Sequence, residues 1–175
     1  MLSAFESGFE FGSAFRLRHL IHGGGVYIRH FFLEMLRVKK LKKEALLPER
    51  ANPFAAGYDL FLPTTMELGE GLHKINLQFS MEVPRGHYAR IACRSSLAAR
   101  GFSVEAGVVD EDYRGPVTVM LRCRKEEYFP YGYKIAQMII TPYSSPVVKE
   151  VESLSDTSRG TGGFGSTGSE HSDIH

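Results

Sequence analysis

Asp110, Glu111 and Asp112 put three carboxylates into one short segment ahead of Gly115-Pro116. Crowded at a hairpin or strand end they repel one another, so an ordinary turn accounts for them only in part. A carboxylate can orient and deprotonate water, the first need of phosphoanhydride hydrolysis. A second group, Arg94-Ser95-Ser96-Leu97-Ala98, has the parts of an anion site. Ser95 or Ser96 opens a candidate helix whose free N–H groups and positive dipole end suit a phosphate, and Arg94 can grip two phosphate oxygens at once. Read alone, that segment is more simply a helix cap beside a surface arginine. Asp59 follows Tyr58 at a candidate strand start, where an acid by itself is a turn residue. Gln137, in the apolar run Ile135–Ile140, offers an uncharged amide to a phosphate oxygen or sits satisfied in a core. From Arg159 to Gly168 the chain carries five glycines. Such a segment is costly to order and closes as a lid only when a ligand repays that cost. A plain tail is the alternative, but an Arg and a Phe framed by glycines are unusual in one.

These groups need a scaffold, and the hydrophobic pattern predicts one made of strands. Ile75, Leu77, Phe79, Met81 and Val83 alternate with Asn76, Gln78, Ser80 and Glu82, which predicts one strand over residues 75–83 with a single buried face. Val117, Val119, Leu121 and Cys123 alternate in the same way. Further strands are expected at 34–41, 58–62, 87–93, 134–141 and 146–152. Pro63, Gly69, Gly71, Pro84-Arg85-Gly86, Gly115-Pro116, Pro130, Gly132 and Pro142 punctuate them. Short strands between frequent turns predict an all-β sandwich or barrel. One short helix is expected, capped by Ser95 or Ser96, formed by Leu97–Arg100 and ended by Gly101.

Composition narrows the classes. The 175 residues, 43% hydrophobic and 23% charged, fit one globular domain. A formal net charge of +1 gives no global field for a nucleic-acid partner. No apolar run approaches the roughly 18 residues that span a bilayer, and no signal-peptide order opens the chain, so an intracellular protein of nucleus or cytoplasm is expected. Cys93 and Cys123 lack metal-ligand spacing and read as free buried thiols in a reducing compartment. Residues 11–33 are aromatic and basic with no acid, so residues 1–33 read as a poorly ordered extension, with a mitochondrial presequence as the alternative. Gly23-Gly24-Gly25 is not a phosphate loop, because no Gly-Lys-Ser/Thr follows. Val38–Lys43 reads as a solvated strand end, or a weak nuclear signal. The expected organisation is an extension (1–33), a β domain (34–155) and a flexible glycine-rich arm (156–175).

Five segments then matter together: Ala56–Leu60, Arg94–Ala98, Gly107–Gly115, Gly132–Gln137 and Arg159–Gly168. Their order and wording over residues 34–168 resemble the five motifs of the trimeric dUTPases. The resemblance implies a jelly-roll homotrimer that hydrolyses dUTP to dUMP and pyrophosphate, limiting uracil in DNA and supplying dUMP for thymidylate. It implies Asp110 as the base, attack by water on the α-phosphate, and Asp59 near magnesium through a coordinated water. It assigns Arg94, Ser95, Ser96 and Gln137 to the phosphates and Tyr113 to a place under the deoxyribose, where its ring excludes a 2′-hydroxyl. Uracil is held by backbone groups of a hairpin over about 104–118, including Gly107, Val108, Val109 and Thr118. Arg159 suits the terminal phosphate, Phe164 the uracil face, and Gly165, Ser166 and Thr167 complete the arm. Glu111 and Asp112 are expected to be structural or solvated. Motifs one, two and four come from one subunit, motif three from a second and the arm from a third. Tyr133 and Lys134 depart from the pattern, replacing the usual acid and arginine, with Glu126 and Glu127 as possible substitutes for the acid. Glu105 also departs and is expected to point outward. Two other readings stand beside this one: a non-catalytic interaction module that kept the fold, and a relative of the dCTP deaminases. The first would be expected to lose the base, the tyrosine or the arm, and the second lacks its wording in the third motif.

Overall fold

The computed structural model of the chain describes residues 35–163. Eleven strands and one helical turn follow one another: β1 (Arg37–Lys40), β2 (Gly57–Phe61), β3 (Met66–Leu68), β4 (Gly71–Asn76), β5 (Phe79–Glu82), β6 (His87–Ala92), α1 (Ser95–Ala98), β7 (Ser103–Glu105), β8 (Val108–Val109), β9 (Thr118–Cys123), β10 (Glu127–Phe129) and β11 (Lys134–Pro142). The fold is all-β. Its largest sheet has the order β2-β11-β6-β8, and a second has the order β4-β9-β7. Two strand pairs, β1-β5 and β10-β3, complete it, and every pairing is antiparallel. Leu60, Leu62, Ile75, Leu77, Phe79, Ile91, Leu97, Leu121, Phe129, Ile135 and Met138 fill the core, all fully buried. No helix among the described residues is long and apolar enough to cross a membrane.

The alternation over 75–83 identifies the buried face correctly, since Ile75, Leu77, Phe79, Met81 and Val83 are all buried. It does not identify the strand. The chain breaks into β4 and β5 at Gln78, whose φ of +62° no ordinary strand residue adopts. Asn76 stabilises the break by accepting the Gln78 N–H at 2.7 Å. Val117 then bridges it, accepting from Leu77 N and donating to Phe79 O. Beyond the break the chain leaves the β9 ladder for β1.

A bulge in β11 matters more for function. Its pairing with β2 runs Lys134 to Phe61, then slips so that Ala136 meets Leu60 and Gln137 meets Asp59. Ile135 and Ala136 are accordingly both buried in succession. In a regular strand, residues 134 and 137 would face opposite sides; the extra residue brings both to the face that carries Asp59 and Phe61.

The chain divides into two units between Ser144 and Ser145. In the second, residues 145–163 hold no strand or helix, so the strand expected at 146–152 is absent. No described segment offers it a ladder, and Val147 and Val148 are almost wholly exposed. A turn closes at its end: Gly160 N donates to Thr157 O at 3.1 Å and Gly162 N to Arg159 O at 3.0 Å.

Candidate active site

Three of the five segments converge at Asp59. The carboxylate stands on β2 and is only 9% exposed. Its Oδ1 meets Arg94 Nε at 3.0 Å, just past the end of β6, and its Oδ2 meets Lys134 Nζ at 2.8 Å, at the start of β11. The Lys134 ammonium also lies 5.9 Å above the Phe61 ring. Gln137, opposite both Asp59 and Ala92 in the sheet, donates from Nε2 to Cys93 O at 3.1 Å. That bond secures the turn from β6 into Arg94. A Cβ at Gly57 would sit 2.8 Å from Gln137 Oε1, so a side chain there would push the amide aside.

Arg94 is extended (φ −76°, ψ 144°) and is the N-cap of α1 without a side-chain cap bond. The capping role expected of Ser95 or Ser96 is therefore not realised; both are exposed helical residues. Instead Arg94 O accepts from Leu97 N and Ala98 N at 3.0 and 2.9 Å. At the other end of the turn, Arg100 ion-pairs with Glu127 and donates to Tyr133 Oη at 3.2 Å. Glu127, one of the two acids suggested to replace the missing one, thus meets a basic group beside Tyr133. The Arg100 guanidinium, through its hydrogen bond, holds the Glu127 carboxyl below the usual range.

Tyr113 and the three carboxylates lie elsewhere. β8 pairs with the first half of β6, Val109 opposite Ala89 and Val108 opposite Arg90. Gly107 joins β7 to β8 with φ +86° and its carbonyl accepts from Ile91 N at 2.7 Å; a Cβ there would collide with Ile91 O. β7 itself pairs with β9, so the segment expected to form one hairpin over 104–118 visits two sheets. Asp110 is exposed on an open cleft of about 540 Å³ with Tyr88, Val108, Glu111, Asp112 and Tyr143. Glu111 anchors this loop, accepting from Gly86 N at 2.6 Å and Tyr143 Oη at 3.2 Å. Its charge pushes the Tyr143 hydroxyl upward in pKa, first through that hydrogen bond. Tyr113 folds back over Gly115 and donates to Pro116 O at 3.3 Å; Thr118 Oγ1 donates to the same carbonyl.

Arg94 and the Asp110 loop therefore stand at opposite ends of β6. Ala89, beside Val109, and Arg94 are five extended residues apart, about 17 Å, so one copy of the chain does not bring them together.

Glu105 points outward as expected, its side chain 42% exposed, and at the surface its Oε1 accepts from Ser103 Oγ at 2.9 Å and Arg122 Nε at 3.0 Å. Cys123 is buried but Cys93 only partly so; both are free, and burial raises both thiols. In the second unit, Arg159 Nε donates to Gly162 O at 2.8 Å. Phe164, Gly165, Ser166, Thr167 and the extension 1–33 lie outside the described residues. No group of three or more His, Cys, Asp or Glu placed to hold a metal occurs among the described residues.

Three residues of this site take no role from the sequence alone: Lys134 and Tyr133 stand there only as departures from the family pattern, and Tyr143 carries no signal.

Comparison with known proteins gives a consistent picture. The dUTPase family matches residues 43–168. The deoxyuridine 5'-triphosphate nucleotidohydrolase of Solanum lycopersicum is 47% identical over 136 residues, covering 75% of this chain and 80% of that protein. Among solved structures, the Staphylococcus bacteriophage 80alpha dUTPase with dUPNHPP superposes with a TM-score of 0.69 at 26% identity, over 77% of this chain and 99% of the phage one. A phage phi11 dUTPase mutant, described with a coordinated structural Mg(II) ion, shares the fold at a TM-score of 0.64 and 23% identity, over 69% and 98%.

Proposed function

The chain belongs to the dUTPase family, and from that premise we propose that it hydrolyses dUTP to dUMP and pyrophosphate at a site shared between copies in a homotrimer. The observation that carries this reading is the meeting of Asp59, Arg94, Lys134 and Gln137 from three distant segments. They build a cationic corner beside the exposed Ser95-Ser96 turn.

In the proposed reaction a water is held and deprotonated by Asp110, which lies open on its cleft. The water oxygen attacks the α-phosphorus, the bond to the bridging oxygen breaks, and pyrophosphate leaves with the electron pair. Arg94, with the N–H groups of Ser95 and Ser96, binds the phosphate oxygens. Arg159, with Phe164, Gly165, Ser166 and Thr167, covers the nucleotide from the arm. Gly107, Val108, Val109 and Thr118 frame the base, and Tyr113 lies under the deoxyribose. Gln137 holds the Cys93–Arg94 turn, and its remaining amide N–H is available to a phosphate oxygen.

The donor set fits magnesium only in a loose sense. Among the described residues Asp59 is the carboxylate that meets both Arg94 and Lys134, and each of its oxygens already faces a cation. Its remaining lone pairs suit a water of the ion's own hydration shell, so Asp59 would hold an ion that arrives on the triphosphate. Bound there, the ion would neutralise phosphate charge.

The shared site rests on the separation along β6: an Asp110 about 17 Å or more from Arg94 serves the corner of another copy. The test is pyrophosphate release from dUTP and from each of the eight common nucleoside triphosphates with magnesium, for the wild type and Asp110→Asn. Consumption of dUTP alone, with turnover reduced about 10²–10⁴-fold and binding retained in Asp110→Asn, is expected. Near-full activity of the variant would remove Asp110 from the reaction, and binding without turnover by the wild type would make the chain an interaction module.

A further inference from the structure

We infer that Lys134 is a positioning residue for the triphosphate: it holds Asp59 from one side so that Asp59 aims Arg94 from the other. The inference rests on the phosphate role of Arg94 proposed above.

The backbone supplies the first argument. Lys134 and Gln137 are three residues apart, yet the bulge at Ile135 turns both toward Asp59. A bulge leaves ladder bonds unmade, and its return is the direction it gives a side chain. Here the redirected side chain is Lys134, whose ammonium lies 2.8 Å from Asp59 Oδ2.

The second argument is orientation. The terminal torsion of an Asp side chain is soft, so a carboxylate held by one partner turns readily. With Lys134 on Oδ2 and Arg94 Nε on Oδ1, the carboxylate plane is set by two cations on different oxygens. Arg94 Nη1 also faces Lys134 O at 3.5 Å. The part of the guanidinium not turned to Asp59 or to that carbonyl is the edge offered to an anion.

Charge supplies the third. Asp59 and Arg94 alone form a neutral pair; Lys134 returns the cluster to a net +1. Asp59 is nearly buried, and the side chains of Arg94 and Lys134 are 29% and 42% exposed, so this charge is only partly screened. An anion reaching Arg94 therefore meets a positive corner only while Lys134 is charged. Lysine and arginine both meet that need, whereas an uncharged side chain of equal length does not.

Binding of dUpNHpp and of dUMP to the full chain, each measured by calorimetry in EDTA, tests the inference apart from turnover. Lys134→Met should weaken dUpNHpp about tenfold while changing dUMP less than about twofold, because dUMP lacks the outer phosphates. In steady state the same variant should raise KM for dUTP more than it lowers kcat. Lys134→Arg should bind dUpNHpp within about threefold of the wild type. Lys134→Gln serves as the second neutral variant should Lys134→Met fail to fold. Equal losses for both ligands, unchanged dUpNHpp binding in the neutral variants, or no rescue by arginine would overturn the inference. Arg94→Met separates the two levels. If it weakens dUpNHpp and the neutral variants do not, only the role of Lys134 fails; if it too has no effect, the phosphate reading of Arg94 fails.

Discussion

Gly115→Ala isolates what the Tyr113 ring does. Gly115 does not have a left-handed φ, so alanine strains no backbone there. A Cβ at Gly115 would instead stand 2.5 Å from Tyr113 Cζ and closer still to the hydroxyl. To regain ordinary contact at 3.4 Å, the ring must retreat by about 0.9 Å. The hydrogen bond from Tyr113 to Pro116 O, already 3.3 Å long, would go with it. The ring is the far end of an exposed side chain, so stability should change by less than about 1 kcal/mol. Under the proposed function, that displacement moves the surface that excludes a 2′-hydroxyl. Steric preferences of this kind are worth about 1–3 kcal/mol, so the ratio of kcat/KM for dUTP over UTP should fall roughly 5- to 150-fold. The assay is steady-state hydrolysis of both nucleotides, with a denaturant melt as control. An unchanged ratio in a folded variant would refute the role given to Tyr113.

Gly107→Ala should act on stability instead: a φ of +86° and a Cβ against Ile91 O together should cost about 2–4 kcal/mol, read by urea denaturation. The Arg100–Glu127 pair should show in acid. Because the folded carboxyl of Glu127 titrates below its usual 4.5, the contribution is present above that pH and lost as pH falls through the lower folded value. Glu127→Gln should therefore flatten the acid side of the stability curve and leave its slope above pH 5 unchanged. Truncation after Ser158 should leave a folded trimer with poor dUTP hydrolysis, seen by sedimentation and steady-state rates.

The sequence exposed side-chain parity and little about pairing. All five apolar residues of the 75–83 alternation are buried, but the break at Gln78 depends on Val117, 39 residues away, and leaves no period of its own. β3, β7, β8 and β10 hold two or three residues each, too few for any periodic pattern. The predicted cap at Ser95 or Ser96 failed because Arg94, tied to Asp59, takes the N-cap place. The quality of the site was legible only in pieces. Asp59, Arg94 and Gln137 could be named from their segments, but that Lys134 shares their carboxylate depends on a bulge. The sole trace of that bulge is the apolar pair Ile135-Ala136 where alternation would place one polar residue. Glu127 could be suggested as a substitute acid, while its partner Arg100 came only from the fold.

The most direct measurement mixes two inactive variants, Asp110→Asn and Arg94→Met, by co-refolding equal amounts and assaying dUTP hydrolysis with magnesium. If Asp110 of one copy serves the Arg94 corner of another, random assortment into trimers returns up to about a quarter of the wild-type sites. Activity rising from near zero toward that fraction is the predicted result. Mixed trimers, verified by tagged subunits, that stay as inactive as either parent would contradict the shared site and the function built on it.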